Sequence, residues 1–396
     1  MKKKIHVLII PSWYPRFKGD ISGSFFREQA IALSKRNCQV GVIYPQFRSL
    51  KNWKGVFFEP YGLSEEIDEQ LFTLRWHSVV FTPKLDSFNK KKWINAGMKL
   101  FEQYIKIKGI PDIIHVHSML HGGELADQIL KKYKIPYVIT EHNSMFLRDL
   151  VVKKKIDTLT EIVNNASNCI SVSNSFKDKL NSVFNTTKWE YLPNIVNDNF
   201  FENSLTKENK TNLFKYCSVC LLTKNKKIDL LIRAFSLILE VFPNSVLYIV
   251  GDGPEKKNLL ELTKKLNLTQ NIIFLGLLPR EKVIEIMSEV DTLIIASEFE
   301  TFGVVAVEAL ALGKPVVSTK CGGPQSIINS EEVGYLVENN SLIGLKDGLI
   351  NIQKNYNKFS SDKIRNYCLN NFGEAAVVEQ LKKIYREALE QKSNNG

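Results

Sequence analysis

The chain has 396 residues, of which 44% are hydrophobic and 24% are charged, an ordinary balance for a globular protein. This length predicts two domains that are each large enough to bury a core. The formal net charge of +11 suits nucleic acid, an anionic membrane or an anionic substrate. The lysines are scattered and no arginine-rich tract occurs, which argues against sequence-specific nucleic-acid binding.

Neither the cysteines nor the apolar segments indicate an exported or membrane-spanning protein. Only Cys217 and Cys220 lie close together among the six cysteines, so we interpret all six as small buried side chains in a reducing compartment. The apolar run at residues 5–10 is too short for a signal peptide, and no stretch approaches the roughly 20 apolar residues of a membrane span. We therefore expect a cytoplasmic protein.

In the first half of the chain, short apolar strands alternate with helical segments. We predict strands at residues 6–10, 39–44, 112–117, 137–140 and 169–173, and helices at residues 25–36, at 123–132 and after residue 174. Residues 45–90 alternate less cleanly, and we interpret them as an irregular insertion. The alternation is typical of a doubly wound, Rossmann-like α/β domain, which we place at residues 1–200.

A polar stretch at residues 196–212 predicts a linker, and a second alternating series follows it. Its predicted strands lie at residues 214–222, 245–250, 272–275, 292–296 and 315–318, and its helices at 229–242, 255–266, 281–288 and 302–312. This series predicts a second Rossmann-like domain at residues 201–372. The remaining residues, 373–396, hold an amphipathic helix that we expect to pack back on the N-terminal domain.

We expect the two doubly wound domains to face each other across a cleft. Open α/β sheets bind ligands at the carboxyl ends of their strands, so such a cleft would hold two substrates. The predicted architecture favours a transferase or a two-domain binding protein.

The segment from Ser297 to Ala309 carries the most specific pattern in the chain. It follows a predicted strand and begins a helix, whose free N–H groups suit a phosphate, and Gly303 allows the backbone to approach a ligand closely. Glu308 lies in an otherwise apolar stretch, so its carboxylate needs a partner. The hydroxyls of a ribose would supply one, and so would a neighbouring lysine or arginine.

Glu300 and Glu308 are followed by Ala-Leu-Ala-Leu-Gly-Lys-Pro at residues 309–315. This pattern resembles the signature of the retaining glycosyltransferases of family 4, or glycosyl transferases group 1, which have the GT-B fold. The resemblance covers nearly the whole chain. Further similar segments occur in the family's order at residues 10–15, 23–30, 171–173, 193–194, 226–232, 251–254 and 322–324.

The resemblance implies a nucleotide-sugar site in the C-terminal domain and an acceptor site in the N-terminal domain. Glu300 would contact the donor sugar, Glu308 would hold the nucleotide ribose, and Lys226 would neutralise the donor diphosphate. The other residues expected to bind the donor are Gly23, Thr301, Phe302, Gly303 and Val304.

One departure from the family pattern concerns the diphosphate. The family usually has an arginine five residues before the lysine, where this chain has Leu221. The chain thus lacks one of the two usual cations on the leaving group. Lys224 or Lys227 would be the substitute, although lysine lacks the bidentate fork of arginine.

Three histidines lie near the ends of predicted strands. By resemblance, His142 lies beside the donor sugar, so that His142 and Glu300 are the expected catalytic residues, while His117 and His121 are candidates for the acceptor site. No carboxylate cluster lies at ligand spacing from these histidines, and enzymes of this fold need no catalytic metal. We therefore expect neither a metal nor a cofactor.

These features predict transfer of a hexosyl unit from a UDP- or GDP-sugar to a glycan or lipid-linked oligosaccharide, with retention of configuration, in the synthesis of cell-surface polysaccharide. Two alternatives stay open. One is a sugar-nucleotide epimerase of the same fold. The other is a catalytically weak or non-catalytic subunit that binds a sugar nucleotide.

The acceptors of such reactions are often lipid-linked, and the positive net charge suits an anionic membrane. The candidate contact consists of the lysines at residues 90–92 together with Phe88 and Trp93. We therefore also consider peripheral binding at the inner face of the plasma membrane.

Overall fold

The structure is a computed structural model that describes residues 4–17, 20, 22–50, 59–81, 86–202 and 213–394. The chain divides into two compact α/β units. The first comprises residues 1–172, 177–192 and 377–396, and the second comprises residues 173–176 and 193–376. The prediction of two Rossmann-like domains is confirmed.

The first unit is built on an eight-stranded sheet with the order β3-β4-β2-β1-β5-β6-β7-β8. The strands are β1 (Ile5–Pro11), β2 (Cys38–Ser49), β3 (Gly62–Asp68), β4 (Leu71–Val80), β5 (Ile113–His117), β6 (Tyr137–Glu141), β7 (Asn168–Ser171) and β8 (Trp189–Tyr191). All neighbouring strands are parallel except β3 and β4. The first helices of the chain are α1 (Ser24–Lys35), α2 (Asp86–Lys108), α3 (Gly122–Tyr133), α4 (Lys153–Asn165) and α5 (Asn174–Phe184).

The interpretation of residues 45–90 as an irregular insertion is wrong for most of this stretch. Strand β2 runs on to Ser49, β3 and β4 form an antiparallel hairpin, and α2 begins at Asp86. Strand β4 escaped prediction because it is buried without apolar alternation: Thr73 and Arg75 are buried in it beside apolar residues. The Arg75 guanidinium is paired with Glu66 of β3, an arrangement that no local pattern encodes. Residues 51–58 and 82–85 lie outside the described residues.

The second unit is built on six parallel strands with the order β11-β10-β9-β12-β13-β14. The strands are β9 (Phe214–Val219), β10 (Ser245–Val250), β11 (Ile272–Gly276), β12 (Thr292–Ile295), β13 (Val316–Thr319) and β14 (Gly334–Val337). The helices from here to the end of the chain are α6 (Asn199–Glu202), α7 (Ile228–Ile238), α8 (Lys256–Lys265), α9 (Arg280–Glu289), α10 (Val304–Ala311), α11 (Leu342–Lys354), α12 (Ser361–Phe372) and α13 (Glu374–Asn394).

The core of the second unit lies between the sheet and helices α7 and α11. Tyr216 and Leu247 of the sheet belong to the same buried cluster as Phe235 of α7 and Leu349 of α11. Helix α7 buries one apolar stripe, as expected for a helix that covers a parallel sheet. The core therefore fixes the strands whose carboxyl ends carry the predicted donor residues.

The predicted linker is partly helical, and the last helix belongs to the first unit. Within residues 196–212, Asn199–Glu202 form the short helix α6, and residues 203–212 lie outside the described residues. Helix α13 belongs to the first unit from Val377 onward. There the Tyr385 hydroxyl lies 2.7 Å from Nδ1 of His115, which holds the helix against β5.

Candidate active site

The predicted donor segment joins β12 to α10. The helix begins at Val304, two residues later than predicted, because Gly303 adopts a left-handed conformation with φ of 95° as its N-cap. The ring of Phe302 is buried and lies 6.2 Å from that of Phe372. Residue 302 therefore offers a ligand its backbone rather than its ring.

The Gly-Gly-Pro turn at residues 322–324 packs against this segment through backbone hydrogen bonds. The Glu300 amide donates to the Cys321 carbonyl at 2.8 Å, and the Gly323 amide donates to the Glu300 carbonyl at 2.8 Å. A Cβ atom on Gly323 would lie 2.3 Å from Cα of Phe302. Glycine is required at residue 323 because the two backbones touch there.

Lys226 and Glu300 meet at the carboxyl-terminal edge of the sheet. Lys226 follows β9 and Glu300 follows β12, and these two strands are neighbours. The Lys226 ammonium donates to Oε1 of Glu300, which also accepts from the Ser297 hydroxyl at 2.9 Å. Burial by itself lowers the pKa of Lys226, but the Glu300 carboxylate outweighs it and holds this pKa above its ordinary value. The lysine is therefore a fixed cation.

The two lysines proposed as substitutes for the missing arginine differ in their surroundings. Leu221 is 63% exposed and itself supplies no cation. Nζ of Lys227 lies 3.1 Å from Oε2 of Glu298, whereas Lys224 is exposed. The charge of Lys227 is thus partly neutralised by Glu298, while Lys224 carries an exposed charge.

Glu308 has an arginine partner. Nη2 of Arg280 donates to Oε1 of Glu308 at 3.1 Å, and the guanidinium also lies 5.2 Å from the ring centre of Phe200. This is one of the two partners considered for a carboxylate in an apolar helix. The ion pair explains the burial of Glu308 without a ligand, so its predicted contact with a ribose needs a direct test.

We expect Glu308→Gln to raise the Kd for the nucleotide about 10- to 100-fold, because a neutral amide replaces a charged acceptor of two hydroxyl donors. The measurement is a calorimetric titration with UDP and GDP. Arg280→Gln is the matched control, because it breaks the same ion pair but keeps the Glu308 carboxylate. Equal losses of affinity in both variants would show that the ion pair, rather than a ribose contact, matters.

In the first unit, His117 and His142 come together, and Gly23 begins the helix that packs on them. Nδ1 of His117, at the end of β5, lies 3.2 Å from Nε2 of His142, which follows β6. Gly23, with φ of 75°, is the N-cap of α1, and the Phe26 ring of that helix lies 4.7 Å from His117 and 4.8 Å from His142. Burial lowers the pKa of both histidines well below the ordinary value.

The other two histidines of this region have different neighbours. His121 is the N-cap of α3 with φ of 65°, and its ring lies 5.7 Å from that of Trp93. His115 lies 2.7 Å from the Tyr385 hydroxyl and 2.7 Å from Oγ1 of Thr140, and burial lowers its pKa to about 3. His115 is therefore a neutral structural residue. The predicted acceptor roles of His117 and His121 stay predictions.

Glu141 directly precedes His142 but was not among the site residues predicted from the sequence. Its carboxylate is fully buried and accepts backbone N–H bonds from Met119 at 2.9 Å, His142 at 2.8 Å and Asn143 at 2.7 Å. It thereby ties the loop after β5 to the loop after β6, which begins with His142. The sequence feature that could have indicated this role is the position of Glu141, a charged residue at the end of the otherwise apolar strand β6.

We expect Glu141→Gln to lower the free energy of unfolding by about 1–3 kcal/mol, because an amide nitrogen would face a backbone N–H that now has an acceptor. Chemical denaturation measures this loss. Glu124→Gln on α3 is the matched control, since its partner is the half-buried Lys90 at 2.8 Å rather than the backbone. Unchanged stability of Glu141→Gln would mean that the three amide bonds do not hold the loops.

Within the described ranges, no group of three or more histidine, cysteine, aspartate or glutamate side chains is arranged to hold a metal ion. None of the helices in these ranges has the length and apolar character of a membrane span.

Comparisons with known proteins cover both units. The sequence model of the family described as Glycosyltransferase Family 4 matches residues 22–200. That of the family described as Glycosyl transferases group 1 matches residues 199–368. An uncharacterized glycosyltransferase of Methanocaldococcus jannaschii is 31% identical over 271 residues, which are 62% of this chain and 67% of that protein. N-acetyl-alpha-D-glucosaminyl L-malate synthase of Bacillus anthracis is 31% identical over 174 residues, 43% of this chain. The match spans only 45% of that synthase.

Solved structures show the same fold at lower identity. Sucrose-phosphate synthase from Thermosynechococcus elongatus has a TM-score of 0.76 at 19% identity, over 97% of this chain and 99% of that chain. Anabaena HepE in complex with UDP has a TM-score of 0.73 at 17% identity, over 96% of this chain and 99% of that chain. With its two Rossmann-like units, the chain has the GT-B fold and belongs to the glycosyltransferases of the group 1 family.

Proposed function

We propose that this glycosyltransferase moves a hexosyl unit from a nucleotide sugar to a glycan or lipid-linked acceptor, with retention of anomeric configuration. The observation that carries the proposal is the Lys226 cation held against Glu300 at the carboxyl ends of β9 and β12. A diphosphate leaving group needs a fixed cation, and the sugar needs a polar group beside it. Glu300 lies on the segment that leads into α10, whose first amides suit a phosphate.

In the proposed reaction, the acceptor oxygen forms a bond to the anomeric carbon while the bond to the diphosphate oxygen breaks. We infer a front-side displacement, in which the departing diphosphate accepts the acceptor proton and no covalent sugar intermediate forms. Lys226 would stabilise the charge that develops on the diphosphate. Glu300 and His142 would position the sugar, and Glu308 would hold the ribose.

The relatives support the donor class. HepE was solved in complex with UDP-glucose, and starch synthase IV from Arabidopsis thaliana was solved with ADP and acarbose. A relative from Acholeplasma laidlawii is an alpha-monoglucosyldiacylglycerol synthase, 27% identical over 230 residues, 52% of this chain and 58% of that protein. We therefore propose a nucleotide-sugar donor, with a UDP- or GDP-sugar as the one expected from the sequence, and include lipid-linked acceptors, with cell-surface polysaccharide synthesis as the process.

The first experiment is a thermal-shift screen with UDP-, GDP- and ADP-sugars. A bound ligand stabilises the folded protein by RT ln(1 + [L]/Kd), so we expect one donor series to raise the melting temperature. Stabilisation by none of them would contradict the proposal.

Incubation of the stabilising donor without an acceptor then tests the epimerase, which would convert the sugar alone. Binding without transfer to any glycan or lipid acceptor would favour a non-catalytic subunit, the alternative that Leu221 in place of the usual arginine supports.

Peripheral membrane binding is part of the proposal, but the contact differs from the one expected. Trp93 is only 6% exposed, so its indole is excluded from the contact, whereas Phe88 is 46% exposed. Nζ of Lys92 lies 4.5 Å from the Phe88 ring centre, while Lys90 pairs with Glu124. Phe88, Lys91 and Lys92, which are all exposed, are therefore the residues that we assign to a membrane surface.

We expect binding to phosphatidylserine vesicles to rise with the anionic lipid fraction, and Lys92→Ser to weaken it about fivefold, since one cation near the surface contributes about 1 kcal/mol. Vesicle co-sedimentation measures both effects. Lys383→Ser on α13 is the control for an exposed lysine elsewhere. Binding that does not depend on anionic lipid would exclude this contact.

A further inference from the structure

Two asparagine side chains of the second unit hold the backbone just before Glu300. Nδ2 of Asn225 donates to the Phe299 carbonyl at 3.0 Å, and Nδ2 of Asn339 donates to the Glu298 carbonyl at 2.9 Å. The first asparagine follows β9 and the second follows β14, and these strands lie on opposite sides of β12 in the sheet order. The two carbonyls belong to no helix or strand, so their hydrogen bonds have to come from other parts of the chain.

The oxygen atoms of the same two amides indicate that these bonds do more than stabilise the fold. Oδ1 of Asn225 and Oδ1 of Asn339 are both buried and have no hydrogen-bond partner among the residues that the structure describes. A buried acceptor without a partner lowers stability, and such atoms are rare in native proteins. Asparagine at both positions is therefore better explained by the backbone that its amide nitrogen holds in place.

Asn225 also connects the turn that carries Lys226 to the segment that carries Glu300. The Asn225 carbonyl accepts from the Glu298 amide at 2.8 Å, while the Asn225 side chain donates to the next carbonyl of that segment. Lys226 is the following residue, and its ammonium donates to the Glu300 carboxylate. The same turn thus fixes both the cation and the backbone that presents its carboxylate partner.

We propose that Asn225 and Asn339 are positioning residues that hold the Glu300 carboxylate against the Lys226 ammonium. This proposal deepens the proposed function and rests on it. Neither asparagine has to contact the substrate, because each acts through the backbone that leads to Glu300. A displacement of about 1 Å at a reacting centre costs about 100-fold in rate, so a small movement of this segment has a large effect.

The test follows cleavage of the donor with water as the acceptor, using the nucleotide sugar that gives the largest shift in the thermal screen. The water oxygen forms a bond to the anomeric carbon, the bond to the diphosphate oxygen breaks, and the diphosphate takes the proton. We expect Asn225→Ala to lower kcat about 10- to 100-fold and to change KM less than about threefold, because the side chain holds protein backbone rather than donor. An unchanged kcat would overturn the proposal.

Asn371→Ala is the matched control. Nδ2 of Asn371 also donates to a backbone carbonyl, that of Tyr367 at 2.8 Å, but on the exposed surface of α12. We expect this variant to keep the wild-type kcat, and a loss equal to that of Asn225→Ala would overturn the specific role. Asn339→Ala tests the same segment from the other loop, and it carries the test if Asn225→Ala does not fold. We expect it to lower kcat at least about fivefold, and an unchanged kcat would exclude Asn339 from the proposal.

A double mutant separates positioning from structural support. In Glu300→Ala no carboxylate is left to position, so we expect the addition of Asn225→Ala to cost less than about threefold in kcat. The same fold-loss in both backgrounds would mean that Asn225 only supports the fold, and the proposal would be wrong. Full activity of Glu300→Ala, or absence of donor binding in the thermal screen, would instead contradict the proposed function, so the two failures are distinguishable.

Discussion

Lys226→Ala is expected to lower kcat about 100- to 1,000-fold, because a preorganised charge on a leaving group typically contributes this much. Lys226 meets that requirement, since it is half-buried and hydrogen-bonded to Glu300 at the edge of the sheet. The Kd for the donor should rise far less, since the charge on the diphosphate grows only as the bond breaks. Initial rates of transfer at saturating donor measure the effect.

Lys224→Ala is the matched control for this prediction. Lys224 lies in the same short turn and is exposed. We expect a loss of less than about tenfold, as for a screened surface charge. A loss as large as that of Lys226→Ala would show that Lys224 replaces the arginine that is absent at Leu221. Full activity of Lys226→Ala would contradict the assigned site.

Gly323→Ala is expected to abolish most of the transfer activity while the fold persists. The added Cβ would lie 2.3 Å from Cα of Phe302, so the segment that carries Glu300 must move. Overpacking of this kind costs about 1–3 kcal/mol of stability, and a displacement of about 1 Å at a reacting centre costs about 100-fold in rate. Thermal unfolding and initial rates measure the two effects separately.

Gly344→Ala is the corresponding control at a glycine away from the site. Gly344 lies in the first turn of α11, where a Cβ would meet Ser341 at 3.2 Å, and alanine favours the helix. A Cβ there would also lie 3.3 Å from the backbone nitrogen of Glu338, so we expect wild-type rates and only a small change in melting temperature. If Gly323→Ala behaves in the same way, the turn at residues 322–324 does not hold the Glu300 segment.

The sequence predicted the α/β class and most strands because buried parallel strands are short apolar runs, which are local signals. It failed at β4, where Arg75 is buried through its partners on β3, and at the edge strands β8 and β14, which are only three and four residues long. Arg75 and Glu66 are only nine residues apart in the sequence, but they meet because β3 and β4 pair, and the pattern of neither strand predicts that tertiary contact. The same reason hid the Arg280 partner of Glu308, which lies 28 residues away.

The sequence by itself determined the family signature, because Glu300, Gly303 and Glu308 lie on one short segment whose spacing is local. Only the tertiary structure decided which residues meet. Lys226 and Glu300 are 74 residues apart and touch because β9 and β12 are neighbours in the sheet. His117 and His142 meet because β5 and β6 are neighbours. Strand order depends on how the whole core packs. The contacts between these side chains therefore cannot be predicted from their separation in the sequence.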